Sequence, residues 1–209
     1  MRRLRITTAL VAVGSAVAVA VVVSASGTAT ATPRALSSGA GAGAGAGGGA
    51  LAADVSAARL ATTKYATGLR RAKADGYQII TRMIPNMGYH FLNAKVTGFD
   101  VRKPAILVYE HRGNSWQLGA LEWVFTAMPT KSPLPGAKYG VFAAACHYAD
   151  GTFVFQTDKS KCATRSPQTG AKFTFWHPRL ITLHFWIWYP NASGIYSGLN
   201  PYVNGFNSG

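Results

Sequence analysis

Ala105-Ile106-Leu107-Val108-Tyr109-Glu110 and Leu118-Gly119-Ala120-Leu121-Glu122-Trp123-Val124-Phe125-Thr126 are two apolar and aromatic runs set on either side of Gly113-Asn114. Two such runs around a Gly/Asn pair predict a β-hairpin. The pattern recurs downstream, where Val141 to Tyr148 and Thr152 to Phe155 flank Asp150-Gly151. Tyr77 to Thr81, Lys172 to Phe175 and Ile181 to Tyr189 read as further strands. Met83 to Gly88, with Pro85, Asn86 and Gly88, and Met128 to Gly140, with three prolines, read as loops. The tail from Pro190 is rich in Asn, Gly and Pro.

Ahead of the strands, residues 52–75 read as one helix. Val55, Leu60 and Leu69 are apolar, alanine is abundant, and Arg59, Lys64, Arg70, Arg71 and Lys73 give a polar face. Asp54 near the start and the basic residues near the end suit the helix dipole. Gly76 supplies the stop, and Gly68 is the weak point of the run. One helix followed by about six strands in hairpins predicts an α+β fold, with an antiparallel sheet or partly closed barrel. Five tryptophans and many Phe and Tyr residues supply a bulky core.

The chain starts with the three parts of a secretory signal in order. Arg2, Arg3 and Arg5 make a positive region, Ala9 to Val23 an apolar run, and Ala29-Thr30-Ala31 a small-residue cleavage site, so residues 1–31 are expected to be removed. The apolar run falls short of the ~20 residues a membrane span needs. Residues 32–50, almost pure Gly and Ala from Gly39 to Gly49, read as a disordered linker, and 51–209 as one globular domain. No later stretch is apolar enough to span a bilayer, so the expected location is secreted or attached to the cell envelope.

Removal of the signal arginines leaves 18 of the 21 basic residues against 7 acidic ones, a formal charge of about +11. The charges are scattered, as at Arg70-Arg71, Arg102-Lys103, Lys159 and Lys161. Dispersed charge gives loose attraction to an anionic cell envelope and excludes specific nucleic-acid readout. In an exported chain Cys146 and Cys162 are expected to form a disulfide, which stabilises by roughly 3 kcal/mol for a loop of this size.

Only two glutamates occur, Glu110 and Glu122, and both interrupt apolar runs. A carboxylate in such a run must be paired, hydrogen-bonded, neutral or metal-bound. Glu122 is the sharper case. His184 interrupts the last strand in the same way. Strand alternation puts Thr182, His184, Trp186 and Trp188 on one face and Leu183, Phe185, Ile187 and Tyr189 on the other. His90 stands just after Gly88, where a loop meets a strand. His90, Glu122 and His184 therefore make a two-imidazole, one-carboxylate set of the kind that holds zinc or iron with a position left open. The alternative is structural: histidines that donate to backbone carbonyls, and a Glu122 paired within the core. Glu110 is the spare candidate. An even-length turn at Gly113-Asn114 places Glu110 and Glu122 on opposite faces of the hairpin, and an odd one places them together. His147, beside Cys146 at a turn, and His177, in Trp-His-Pro, read as exposed or structural. No phosphate loop, nucleophile elbow or calcium loop is present.

Met87-Gly88-Tyr89-His90, Leu118-Gly119-Ala120-Leu121-Glu122 and Leu183-His184-Phe185-Trp186-Ile187-Trp188-Tyr189-Pro190-Asn191 together resemble a family of exported, mainly actinobacterial proteins with a MGxH, LxxxE, LHxWxWxPN pattern. The resemblance spans most of residues 60–207 and implies export and a single domain. It brings no activity and no catalytic residue. Asn191-Ala192 departs from the Asn-Pro expected after the tryptophans.

The leading expectation is a non-enzymatic exported domain that binds a small polar ligand or a metal in a pocket lined by His90, Glu122, His184, Trp186 and Trp188. Its rivals are an extracytoplasmic hydrolase or lyase using the same set, metal-assisted or by acid–base chemistry, and an envelope structural protein without a site. N-terminal sequencing of the exported protein is expected to begin at Thr32. An intact Met1 on membrane-bound protein would contradict the export reading.

Overall fold

A computed structural model describes residues 45–206. The expected signal peptide and the linker up to residue 44 lie outside the described residues. The fold is α+β as expected, built from an N-terminal helical segment and a curled antiparallel sheet of six strands.

Helix α1 runs Gly45–Thr62 and α2 runs Leu69–Ala74. Helix α1 thus starts inside the stretch read as linker, where the interspersed alanines carry the strongest helix propensity. The single helix expected over 52–75 is broken in two. A 3-10 turn at Thr63–Tyr65 follows α1, and Gly68, with φ −140° and ψ 87°, starts α2 outside helical geometry. The break frees carbonyls that the sheet then uses. Tyr65 O accepts from the Tyr109 hydroxyl at 2.8 Å, and Ala66 O accepts from the Leu118 amide at 2.8 Å. Gly76, at φ +100°, ends α2 as expected.

The strands are β1 Gln78–Ile84, β2 Gly88–Leu92, β3 Ile106–Arg112, β4 Ser115–Phe125, β5 Gly140–Phe142, β6 Ala145–Tyr148, β7 Phe153–Phe155, β8 Phe173–His177 and β9 Leu180–Phe185. The main sheet has the order β1-β2-β3-β4-β9-β5, and a smaller one has the order β7-β6-β8. On one face of the main sheet Phe91, Leu107, Tyr109, Leu121, Trp123, Leu183 and Phe185 pack against Ala58, Tyr65, Leu69 and Ala72 of the helical segment. The other face carries Thr81, His90, Ile106, Val108, Glu122 and His184, and the small sheet lies over part of it. Arg82 N donates to Gly151 O at 2.7 Å, and His147 Nδ1 meets Ile80 O at 2.7 Å.

Both expected hairpins form, and their details decide the site. The β3–β4 turn has two residues, with Arg112 opposite Ser115. By parity alone Glu110 and Glu122 would then face opposite ways. They do not, because Tyr109 pairs with Leu118 while Val108 pairs with Ala120. Gly119 is an extra residue, a β-bulge that shifts the register by one and turns Glu122 onto the face of Ile106, Val108 and Glu110. Glycine suits the position: a Cβ there would lie 3.1 Å from the Trp186 ring.

Other elements differ from expectation in ways that matter locally. Gly88–Leu92 is a strand, placing His90 within the sheet. Val141 to Tyr148 is two strands in different sheets, β5 and β6. The last strand stops at Phe185, where the Trp186 amide donates to Ile195 O at 2.8 Å instead of to a ladder partner. Cys146 and Cys162 are bonded, as expected, and tie β6 to the loop after β7.

The β1–β2 connection is tight. Asn86 has φ +61° and Gly88 φ +99°, and a Cβ on Gly88 would lie 2.5 Å from Glu110 Oε1 and 2.7 Å from the Tyr109 carbonyl oxygen. Gly88→Ala is expected to destabilise by about 1–3 kcal/mol in equilibrium urea unfolding, because the turn cannot move away from backbone. A change below about 0.5 kcal/mol would contradict this account of the turn.

Candidate metal centre

Glu122 pairs with His184 across β4–β9 and with Ile106 across β3–β4, while His90 lies one strand further, opposite Val108. The curl of the sheet closes the remaining gap. The His90 and His184 rings stand edge to face with centroids 6.0 Å apart. His90 Nε2 lies 3.5 Å from Glu122 Oε2, and His184 Nε2 lies 3.7 Å from Glu122 Oε1. One donor atom from each of the three residues lies within 4.8 Å of the others. The three are buried, each no more than 4 % exposed.

Their hydrogen bonding is incomplete. His90 Nδ1 meets Thr81 Oγ1 at 2.7 Å. In the tautomer that leaves Nε2 free, Nδ1–H donates to that oxygen, fixing the ring plane. Glu122 Oε2 and both nitrogens of His184 have no hydrogen-bond partner among the described residues. Burial governs their protonation. Loss of water pushes Glu122 up to about 8, and it lowers His184 to about 4. His90 falls to about 3, first through burial and then through the neighbouring His184, against a raising contribution from the Gly88 backbone. Without a cation the group is thus neutral near pH 7, with two lone-pair-bearing imidazoles and a carboxylic acid. Coordination would displace the carboxyl proton and give the Glu122 carboxylate, His90 Nε2 and His184 Nε2 a common partner.

The observed spacings suit that role. Metal–ligand lengths of about 2.0–2.2 Å in a tetrahedral shell put neighbouring donors about 3.4 Å apart. The two histidine–carboxylate separations lie close to this value and at or beyond the limit for a hydrogen bond. Zinc fits the donor set, and so does iron in a two-histidine, one-carboxylate arrangement.

The group sits in the wall of a cavity of about 220 Å³ between the two sheets. Most of the lining is apolar, including Ile80, Ile84, Leu92, Ile106, Val124, Phe142, Phe175 and Leu180. Val141, 55 % exposed, stands at its rim.

His90, Glu122 and His184 thus meet, as the sequence suggested, but Trp186 and Trp188 do not join them at the cavity. β9 ends at Phe185, so the strand alternation expected to run through both rings stops there: Trp186 stays on the His184 face but away from the cavity, and Trp188 leaves that face. Trp186 packs with Ile106, Val108 and Ala120 and donates Nε1–H to Ser197 O at 2.7 Å. Trp188 turns to the helical side, where Nε1–H donates to Thr62 Oγ1 at 2.9 Å and Arg59 lies over its ring. Glu110 shares the Glu122 face but lies beside Gly88 and Gly119, outside the cavity lining.

Two residues read as exposed or structural belong to the cavity instead. His147 and His177 are 1 % and 9 % exposed and line its opposite wall. His147 stands within the run Val141 to Tyr148 that reads as a strand, and so interrupts an apolar run as Glu122 and His184 do, whereas His177 carried no such signal.

No family model, curated protein or solved structure matches the chain.

The protonation pattern has a direct consequence for metal-free protein. The two histidines, at about 3 and 4 against 6.5 for an ordinary histidine, contribute stability fully above pH 6.5 and lose it as pH falls towards those values. Glu122, raised from 4.5 to about 8, contributes fully below pH 4.5 and loses it as pH rises to 8. Stability of chelator-treated protein is expected to peak near pH 6.5 and to decline towards pH 8, and Glu122→Gln should abolish that alkaline decline. A wild-type profile that is level or rising between pH 6.5 and 8 in urea unfolding would contradict the buried neutral acid.

Proposed function

We propose that the protein is an exported binding protein that holds a divalent transition ion, zinc first, on His90, Glu122 and His184. The ion's open position faces the cavity and takes one donor atom of a small, largely apolar molecule. One observation carries the reading: three buried donors from three strands converge at coordination spacing, and Glu122 Oε2 and the His184 ring lack a hydrogen-bond partner among the described residues. The cavity wall supports the ligand class, since an apolar lining with one polar locus binds apolar bodies and orients them by a single group.

Export rests on the signal-like start, on the disulfide, and on basic charge suited to an anionic envelope. No helix among the described residues is long and apolar enough to cross a membrane.

The test is zinc binding by protein recovered from an oxidising compartment, first by elemental analysis and then by titration after chelation. Glu122→Gln and His184→Ala are each expected to eliminate one ion per chain. Thr81→Val, which removes only the hydrogen-bond partner of His90, is expected to weaken that ion's binding by about 10–100-fold. Zinc affinity and stoichiometry unchanged in Glu122→Gln would end the proposal.

A further inference from the structure

Across the cavity from the first group, His147 and His177 face each other with Nε2 to Nε2 at 3.0 Å. The other nitrogen of each ring is already committed. His147 Nδ1 lies 2.7 Å from Ile80 O, and His177 Nδ1 lies 2.6 Å from Pro178 O. A carbonyl oxygen only accepts, so each Nδ1 must carry the hydrogen and donate it. In the neutral rings both Nε2 atoms then bear lone pairs at 3.0 Å, a contact that a proton shared between the rings or a metal ion held to one side of the line joining them would relieve. The same Nδ1–H to carbonyl bond is what orients a histidine that ligates through Nε2.

We propose that His147 and His177 form a second metal site, distinct from the first, that takes a transition ion with two neutral imidazoles and leaves its remaining positions to water or to the cavity ligand. The separation fits. Two nitrogens at about 2.0–2.1 Å from one ion, at neighbouring positions, lie about 2.9–3.4 Å apart. The rings are held for the purpose: His147 stacks on Phe175 at 4.5 Å and 2°, and His177 stacks on Phe142 at 5.3 Å and 26°. These apolar neighbours disfavour an imidazolium and leave the neutral, ligating form. Both rings line the cavity, so an ion has a route to them. Nitrogen-only donors favour zinc or copper over calcium or magnesium.

The test is a Zn²⁺ titration of the exported, disulfide-bonded protein after chelation, with a competing chelator to resolve the two affinities. Wild type is expected to bind two ions per chain, His177→Phe one, Glu122→Gln one, and the double variant none. Phenylalanine preserves the stacked ring while removing the donor, and His147→Phe is the second variant should the first fail to give the wild-type near-UV spectrum. A wild type that binds one ion, lost in Glu122→Gln and kept in His177→Phe, overturns this proposal and leaves the first site standing. One ion lost only in His177→Phe supports this site and removes the first. Imidazole nitrogen spectra showing a proton shared between His147 and His177, with no second ion taken up, would also overturn it.

Discussion

A two-residue turn sets the pairing of β3 with β4 at the hairpin end, and one extra residue, Gly119, resets it for the rest of the strand. Strand side chains alternate with a period of two, so a shift of one exchanges the faces. Beyond the bulge Leu121 and Trp123 enter the core against the helical segment, and Glu122 and Val124 turn towards the small sheet. Without it the carboxylate would be forced among Leu107, Tyr109 and Leu183, and two core residues would face the cavity. The bulge has further attachments. The Gly119 carbonyl accepts from the Trp188 and Tyr189 amides at 3.1 Å each, which fixes where the chain leaves the sheet after β9. A device that places one side chain therefore also ends the neighbouring strand.

The polar groups on this face are bearable only because the architecture limits what they must do. A buried unpaired charge is costly, and neutralisation by proton or by metal removes most of that cost. Three strands deliver two imidazoles and a carboxyl to one locus, spaced so that one ion could be held by a donor atom from each. The small sheet, braced internally by the disulfide and tied to β1 by His147 to Ile80 and by Arg82 to Gly151, supplies the opposite wall. The cavity thus comes from the same layering that stabilises the fold, an apolar space with polar donors on both sides.

Much of this was legible in the sequence because it follows from local chemistry. Glu122 and His184 stand out because each interrupts an apolar run, and burial of both suggests that they answer one another. The hairpins followed from Gly113-Asn114 and Asp150-Gly151. What stayed hidden depends on non-local pairing. The bulge leaves only a glycine as its trace, and Gly119 is as compatible with a regular strand. Trp186 and Trp188 continue the alternation in sequence, but the backbone leaves the sheet when Ile195 captures the Trp186 amide, so pattern and structure part there. His147 and His177 lie far apart in sequence, and their encounter depends on β6 pairing with β8 across a disulfide-closed loop, which no spacing encodes.

The account turns on whether the inward face of β4 presents Glu122 to an ion shared with two histidines. Anomalous scattering at the zinc absorption edge, from crystals of zinc-loaded protein, tests this most directly. The account predicts a peak about 2.0–2.2 Å from His90 Nε2, His184 Nε2 and a Glu122 carboxylate oxygen. A zinc-loaded crystal with no peak among these three side chains, or with Glu122 turned into the core against Leu107 and Tyr109, would contradict it.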